Sequence, residues 1–487
     1  MAITTLRHIV AMSGVQFGTS GARGLVSSMS DEVCYAYVQA FLCAVASAAG
    51  TVVLGHDLRP SSPAIAAACA RAVRDAAKQV LFVGALPTPA IAYYAAKHGA
   101  PAIVVTGSHI PFDRNGIKFY RADGEISKED EQAMLDAVVD VPALATASAT
   151  PPPPATTEGA AEAYVQRYLN MFGDQALAGM RIAIYEHSSV ARDILRTILE
   201  ALGASVLALG RTDEFVPIDT EAVRAEDIER AARWAQEHTF DAIVSTDGDA
   251  DRPLIGDEQG RWLRGDIVGI LCSQYLAADY VVTPVSSNTA VERCARFKEV
   301  IRTRIGSPFV IAGMEQAAAV HGKEAIVAGY EANGGFLLGS DIARHGTVLK
   351  ALPTRDAVLP IVAVLGLVRD RGCRVSEVAR DLPPRFTASD RLQNFATELS
   401  RDLIARLSQE PAQVTLLLAP QSGQLAHVDT TDGLHVTFTN GDIVHLRPSG
   451  NAPELRCYAE ASSQEVAEAL CQACLARISE TARASHV

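Results

Sequence analysis

Residues 51–108 read TVVLGHDLRPSSPAIAAACARAVRDAAKQVLFVGALPTPAIAYYAAKHGAPAIVVTGS, and their rhythm decides the fold. TVVL is short and β-branched, QVLFVG and AIVV share that character, and turn-forming residues bound each run. Two Ala-rich stretches lie between them. The first opens at Pro60 and Ser61–Ser62 and runs to about Lys78; the second starts at Pro89 and ends near Gly99. Strands separated by helices of this length build a parallel sheet covered by helices on its faces. Such sheets carry their ligands just beyond the carboxyl ends of the strands. Ser108 stands at that point, directly after the third strand.

Upstream, the stretch from Cys34 to Gly55 carries no charge and is long enough to resemble a membrane span. Gln39, Ser47 and the alanine content speak against that reading, and Gly50 ends a helix before the strand at Thr51. Downstream, PALATASATPPPPATT from Pro142 is a proline- and alanine-rich linker. A second unit follows, with strands RIAIY, SVLALG and DAIVS and helices after Val190 and Thr220. A third begins near Gly265, with strands YVVT and AIVA. Three units of one rhythm, each ending a strand on a polar loop, suggest a diverged internal repeat. From about Gly372 the pattern changes. HVTFTNGDIVHLRPSG reads strand, Asn440–Gly441 turn, strand; ELRCYAEA is a further strand, and a helix closes the chain. The expected units are 1–150, 158–262, 263–371 and 372–487, the first three α/β and the last α+β.

Composition narrows the partners. With 487 residues, 48% hydrophobic and 20% charged, each unit can bury a core. A formal net charge of −13 makes nucleic acid and anionic membrane poor partners. Nine cysteines at scattered spacings argue against a disulfide framework and for a reducing cytoplasm. Cys471 and Cys474 form the one CxxC, read as two small residues on one helix face. MAITTLRHIV has no signal-peptide pattern.

Five loops carry chemistry. TGSHIP (106–111) presents Ser108 as a hydroxyl on a tight turn, beside His109 as a proton carrier, with Lys118 of NGIKFY close behind. TDGDADRPL places Asp247, Asp249 and Asp251 at alternate positions after a strand, a spacing that suits a divalent cation. It is not an EF-hand: the sixth loop position, Arg252, is not glycine, and no helix precedes it. GYEANGGFLLG offers Glu331 and Asn333 to sugar hydroxyls on a Gly-rich loop. RPSGNAPELR gathers Arg447, Ser449, Gly450, Asn451 and Arg456 into a phosphate nest. FGTSGARG places Thr19, Ser20 and Arg23 in a phosphate-competent loop.

These loops, in this order, resemble the α-D-phosphohexomutase family over essentially the whole chain. The resemblance implies four domains around a central cleft, the first three alike. It implies a phosphoryl group stored on Ser108 and Mg²⁺ held by Asp247, Asp249, Asp251 and a phosphoserine oxygen. His109, Lys118, Arg252 and Arg23 would serve the transfer, Glu331, Asn333, Thr19 and Ser20 the substrate, and the RPSGN loop the non-reacting phosphate. A hexose 1,6-bisphosphate would be intermediate and activator. Partners would be small hexose phosphates, and the chain a monomer or homodimer. Three positions depart from the family pattern: Ile110 for an asparagine, Gly335 for a histidine, and Ser307 for a larger polar residue. The EANGG form most resembles members that interconvert mannose 6-phosphate and mannose 1-phosphate. Glucose phosphates, or both sugars, come second and glucosamine phosphates third. A magnesium-dependent sugar phosphatase and a non-catalytic sugar-phosphate sensor are the alternatives of other classes.

Overall fold

The computed structural model describes residues 2–18, 20–142, 153–344, 346–419, 421–449 and 453–484. Thr19, Gly450, Asn451 and most of the proline-rich linker lie outside these.

The quoted stretch folds as read. Strands Thr51–His56, Gln79–Ala85 and Ala102–Val105 alternate with helices Ser62–Asp75 and Thr88–Lys97. In the sheet, Thr51–His56 lies between the other two and pairs parallel with both. Arg114–Arg121 then adds antiparallel to Ala102–Val105. The uncharged stretch becomes helix Asp31–Ala44 and then strand Thr51–His56, and no helix among the described residues is long and apolar enough to cross a membrane. That helix stops at Ala44, earlier than Gly50. The Val45 and Ala46 amides both turn back to the Phe41 carbonyl, which closes the last turn there.

The hinted repeat is present in the topology. In the second unit the order is Ser205–Leu209, Arg181–Tyr185, Ala242–Thr246, Pro253–Gly256; in the third it is Glu299–Thr303, Tyr280–Pro284, Val327–Tyr330, Phe336–Leu338. Both repeat the first unit's pattern: three parallel strands with the first in sequence in the middle, then an antiparallel fourth. The Ser108, aspartate and Glu331 loops each join the third strand of their unit to the antiparallel fourth. One topological position therefore supplies three chemical loops.

The last unit is an antiparallel sheet in the order Phe386–Gln393, Glu454–Ala461, Ile443–Pro448, Leu434–Phe438, Leu425–Asp429, backed by helix Gln464–Ala484. Cys471 and Cys474 are buried in its core beside Cys457, and all nine cysteines are free. Packing separates this unit from the rest. One apolar cluster runs from Ala90 of the first unit through Tyr164, Ile194 and Val244 to Tyr330 and Ile361 of the third. The last unit has a core of its own, built on Leu434, Val444, Leu455 and Ile478. The first unit keeps a core of its own around Phe41, Leu54 and Phe119 and joins the shared cluster through Ala90; the fourth unit faces the other three across a cleft.

Candidate active site

Ser108 is fully buried and adopts a left-handed backbone, φ 52°. A non-glycine residue in that region is strained, and such strain persists only where neighbours impose it. The neighbours are Asp57 and Arg59, on the loop after the first strand. Asp57 Oδ2 accepts from the Thr106 hydroxyl at 2.8 Å and the Gly107 amide at 3.3 Å. Arg59, 1% exposed, donates to four main-chain carbonyls of the serine loop and its exit: Ser108 at 2.9 Å, Ile110 at 2.5 Å, Pro111 at 2.8 Å and Arg114 at 2.9 Å. Gly107 is required here, because a Cβ would lie 2.5 Å from the Arg59 guanidinium carbon. Ile110 is tied into the loop through its carbonyl. Sequence reasoning missed this clamp, although Asp57 and Arg59 follow a strand end as Ser108 does.

The aspartate loop meets Ser108 from the second unit. Asp247 Oδ2 accepts from Ser108 Oγ at 2.6 Å, and His109 Nδ1 lies 3.3 Å from the same hydroxyl. Thr88, at the start of a first-unit helix, docks the loop: its hydroxyl donates to Asp249 Oδ2 at 2.7 Å and its amide to the Asp249 carbonyl at 2.9 Å. Each of the three aspartates offers a carboxylate oxygen within 4.8 Å of the others. Asp249 Oδ1 and Asp251 Oδ1 are buried without a hydrogen-bond partner. A divalent cation fits this donor set, because hard oxygens converge and two are left unsatisfied.

Basic residues answer the aspartates. Lys118 Nζ donates to Asp249 Oδ2 at 2.7 Å and Asp251 Oδ2 at 2.6 Å. Burial works against its charge, but the two carboxylates outweigh burial and hold the ammonium above the ordinary lysine range. Burial likewise opposes ionisation of Asp251, yet Arg355, Lys118 and Arg252 hold its carboxyl well below the usual range. Asp247 is pushed the other way by burial and by the neighbouring Asp249 and Asp251. His109 is held well below the usual histidine range by burial, then by Arg252 and Arg23, so its imidazole is neutral at pH 7. Arg23 is itself lowered to about 10, by burial first and then by Arg252 and Arg355.

Above these groups opens a cleft of about 830 Å³. It brings together Ser20, Arg23, His109, Arg252, Glu331, Asn333, Arg447, Ser449 and Arg456 from all four units. Ser108, Lys118 and the aspartates are buried beneath its floor. Glu331 is 3% exposed and is held by Arg355, while Asn333 Oδ1 accepts from the Gly335 amide at 2.9 Å and shapes its own loop. Ser20 Oγ lies 3.4 Å from Glu125 Oε2, a carboxylate that also takes Ser307 and Thr354. On the far wall, Arg447 and Arg456 are cross-strand partners, which sets both side chains on one face of the sheet. Arg447 Nε rests on Asp432 Oδ2 at 2.9 Å, and the same oxygen accepts from the Ile305 amide of the third unit at 2.9 Å. Arg355, Arg391, Glu221 and Tyr458, none of them anticipated from sequence, also line the cleft.

Comparison with known proteins agrees along the chain. The family descriptions of the phosphoglucomutase/phosphomannomutase alpha/beta/alpha domains I, II and III match residues 14–141, 162–260 and 264–386, and its C-terminal domain matches 401–476. A phosphomannomutase of Salmonella muenchen is 48% identical over 461 residues, covering 94% of each chain. One from Sinorhizobium fredii is 45% identical over 464 residues, covering 94% of this chain and 97% of that one. In fold, the crystal structure of a phosphoglucomutase/phosphomannomutase family protein from Burkholderia thailandensis matches with a TM-score of 0.73 at 19% identity, covering 94% of this chain and 96% of that one. With four domains in order, the repeated sheet and the cleft they enclose, the chain belongs to the phosphoglucomutase/phosphomannomutase family, the α-D-phosphohexomutases.

Proposed function

We propose that the chain interconverts mannose 6-phosphate and mannose 1-phosphate through a phosphoryl group carried on Ser108 and a hexose 1,6-bisphosphate intermediate. One observation carries the reading: a strained serine hydroxyl, 2.6 Å from an aspartate, lies under a cleft whose opposite wall is a paired-arginine face. A hydrolase has no need of a second phosphate seat; a mutase does, because its substrate carries phosphate at the end that is not reacting.

In the forward step the P–Oγ bond of phosphoserine 108 breaks and a P–O bond to the sugar hydroxyl forms. The hydroxyl proton goes to neutral His109, and the imidazolium so formed, its Nδ1 3.3 Å from Ser108 Oγ, returns a proton to that oxygen as it leaves phosphorus. Lys118 is committed to Asp249 and Asp251, so it supplies fixed charge while His109 handles the proton. Arg23 and Arg252 face the cleft and receive the transferring group. Glu331 and Asn333 accept and donate to sugar hydroxyls, with Ser20 lining the same cleft. Arg447, Ser449 and Arg456 grip the distal phosphate. Asp247, Asp249 and Asp251 would hold Mg²⁺, which when bound adds positive charge against the phosphoryl oxygens. The unit boundaries expected from the sequence belong to this proposal. Mannose rests on the two mannomutase relatives and on the EANGG loop.

Coupled assays on mannose, glucose and glucosamine 1-phosphates test the substrate. The highest kcat/KM is expected with the mannose phosphate; a glucosamine-only preference overturns that assignment.

A further inference from the structure

One cation at the cleft floor has no part in the scheme above. Arg355 is the next-to-last residue of the third-unit strand Leu352–Asp356 and is 2% exposed. Its Nε and Nη2 donate to Asp251 Oδ2 at 3.0 and 2.7 Å. Its Nη1 donates to Glu331 Oε2 at 3.1 Å and to Ser307 Oγ at 3.0 Å. A single planar guanidinium therefore holds a carboxylate of the aspartate loop and the carboxylate of the sugar loop, which come from different units.

The surrounding sequence makes room for it. A Cβ on Gly335 would stand 2.5 Å from Arg355 Cδ, so any side chain there would collide with the arginine stem. Ser307 is small enough to sit between Arg355 and Glu125, and its hydroxyl touches both. The backbone is pinned as well. Asp356 accepts from the Tyr164 hydroxyl at 2.7 Å and the Tyr168 hydroxyl at 2.5 Å, and from the Val358 and Leu359 amides that start the next helix. Charge gives the arrangement a purpose. Among the described residues three cations ion-pair with the aspartate loop, Lys118, Arg252 and Arg355, and of these Arg355 comes from the unit that carries the sugar loop.

We propose that Arg355 is a positioning residue for phosphoryl transfer, fixing the distance between Glu331 at the sugar and Asp251 at the cation loop while neutralising one aspartate charge. The proposal rests on the mutase reading. A hydroxyl placed by Glu331 then meets a phosphoryl group placed above the aspartates without a separate adjustment of either loop. A misplacement of about 1 Å in such a site costs about a hundredfold in rate.

The test uses the full-length enzyme, with kinetics on mannose 1-phosphate and Mn²⁺ titration of the substrate-free protein followed by electron paramagnetic resonance. Arg355→Gln removes one counter-charge from the triad. It is expected to bind Mn²⁺ several-fold tighter while kcat falls about a hundredfold and KM changes little. Arg355→Lys keeps the charge but loses the fork, so Mn²⁺ affinity stays near that of the unaltered enzyme while kcat still falls at least about tenfold. Combined with Glu331→Gln, Arg355→Lys should add little further loss, because it acts through Glu331. A merely structural arginine would weaken Mn²⁺ binding in Arg355→Gln and give additive losses, and either result overturns the proposal. If the unaltered enzyme turns over none of the hexose 1-phosphates, the mutase reading fails instead, and the Mn²⁺ shift alone decides whether Arg355 balances the triad.

Discussion

At the scale of single residues, the site is a set of ionisable groups moved away from their ordinary ranges by burial and by each other. In the proposed mechanism Ser108 is the residue on which the chemistry turns. Ser108→Ala should abolish turnover while mannose phosphate binding, measured by calorimetry, stays within a few-fold, since the substrate contacts lie on other loops. A second residue makes a stability prediction. His187 is fully buried under the aspartate loop, its Nε2 2.9 Å from the Thr246 carbonyl, and burial pushes its pKa down to about 4. The unfolded chain takes up that proton near pH 6.5, well before the native state does. The stability from a neutral His187 is therefore complete above about pH 6.5 and drains as pH falls toward about 4, by up to about 3 kcal/mol. Urea unfolding between pH 8 and pH 4 should show that slope, and His187→Asn should flatten it.

At the scale of elements, one loop position repeated three times supplies Ser108, the three aspartates and Glu331. Much of this was legible in sequence, because a serine just past a β-branched run and three aspartates at alternate positions are local patterns. The strands RIAIY, SVLALG and DAIVS, the NG hairpin and the CxxC on its helix were legible for the same reason. What was not legible are groups whose partners lie far along the chain. Arg59 precedes the Ser108 carbonyl it holds by 49 residues, and Arg355 follows Asp251 by 104. Nothing in the spacing around either arginine announces a partner at that distance. The Arg59 clamp carries its own prediction. Arg59→Met leaves four loop carbonyls without their donor and Asp57 without its cation, so it should lower stability by about 3–5 kcal/mol. kcat should fall in the same variant while KM for the distal phosphate changes little, as read from urea unfolding and steady-state kinetics.

At the scale of the whole molecule, the second and third units share an apolar core that Ala90 of the first unit joins, while the first unit's main core and the fourth unit's core are their own. The fourth is fastened by polar links: Asn288 Nδ2 to the Arg385 carbonyl at 2.8 Å, the Thr289 amide to Glu460 at 2.9 Å, and Arg304 Nε to the Thr431 carbonyl at 3.1 Å. Arg447 sits inside this junction through Asp432. Arg447→Ala should therefore raise KM chiefly, with kcat within a few-fold, because the distal phosphate is held equally in ground and transition states. Steady-state kinetics decide it; a loss confined to kcat would contradict the assigned grip.

The central claim is that Ser108 carries the phosphoryl group between the two ends of one sugar. The measurement that tests it most directly is intact mass of the purified enzyme, before and after mannose 1,6-bisphosphate, alongside the rate on mannose 1-phosphate. The account predicts a single phosphate adduct that maps to Ser108, is absent in Ser108→Ala, and appears together with stimulation of product formation by the bisphosphate. No adduct on Ser108, or steady release of free phosphate without stimulation by the bisphosphate, would contradict it.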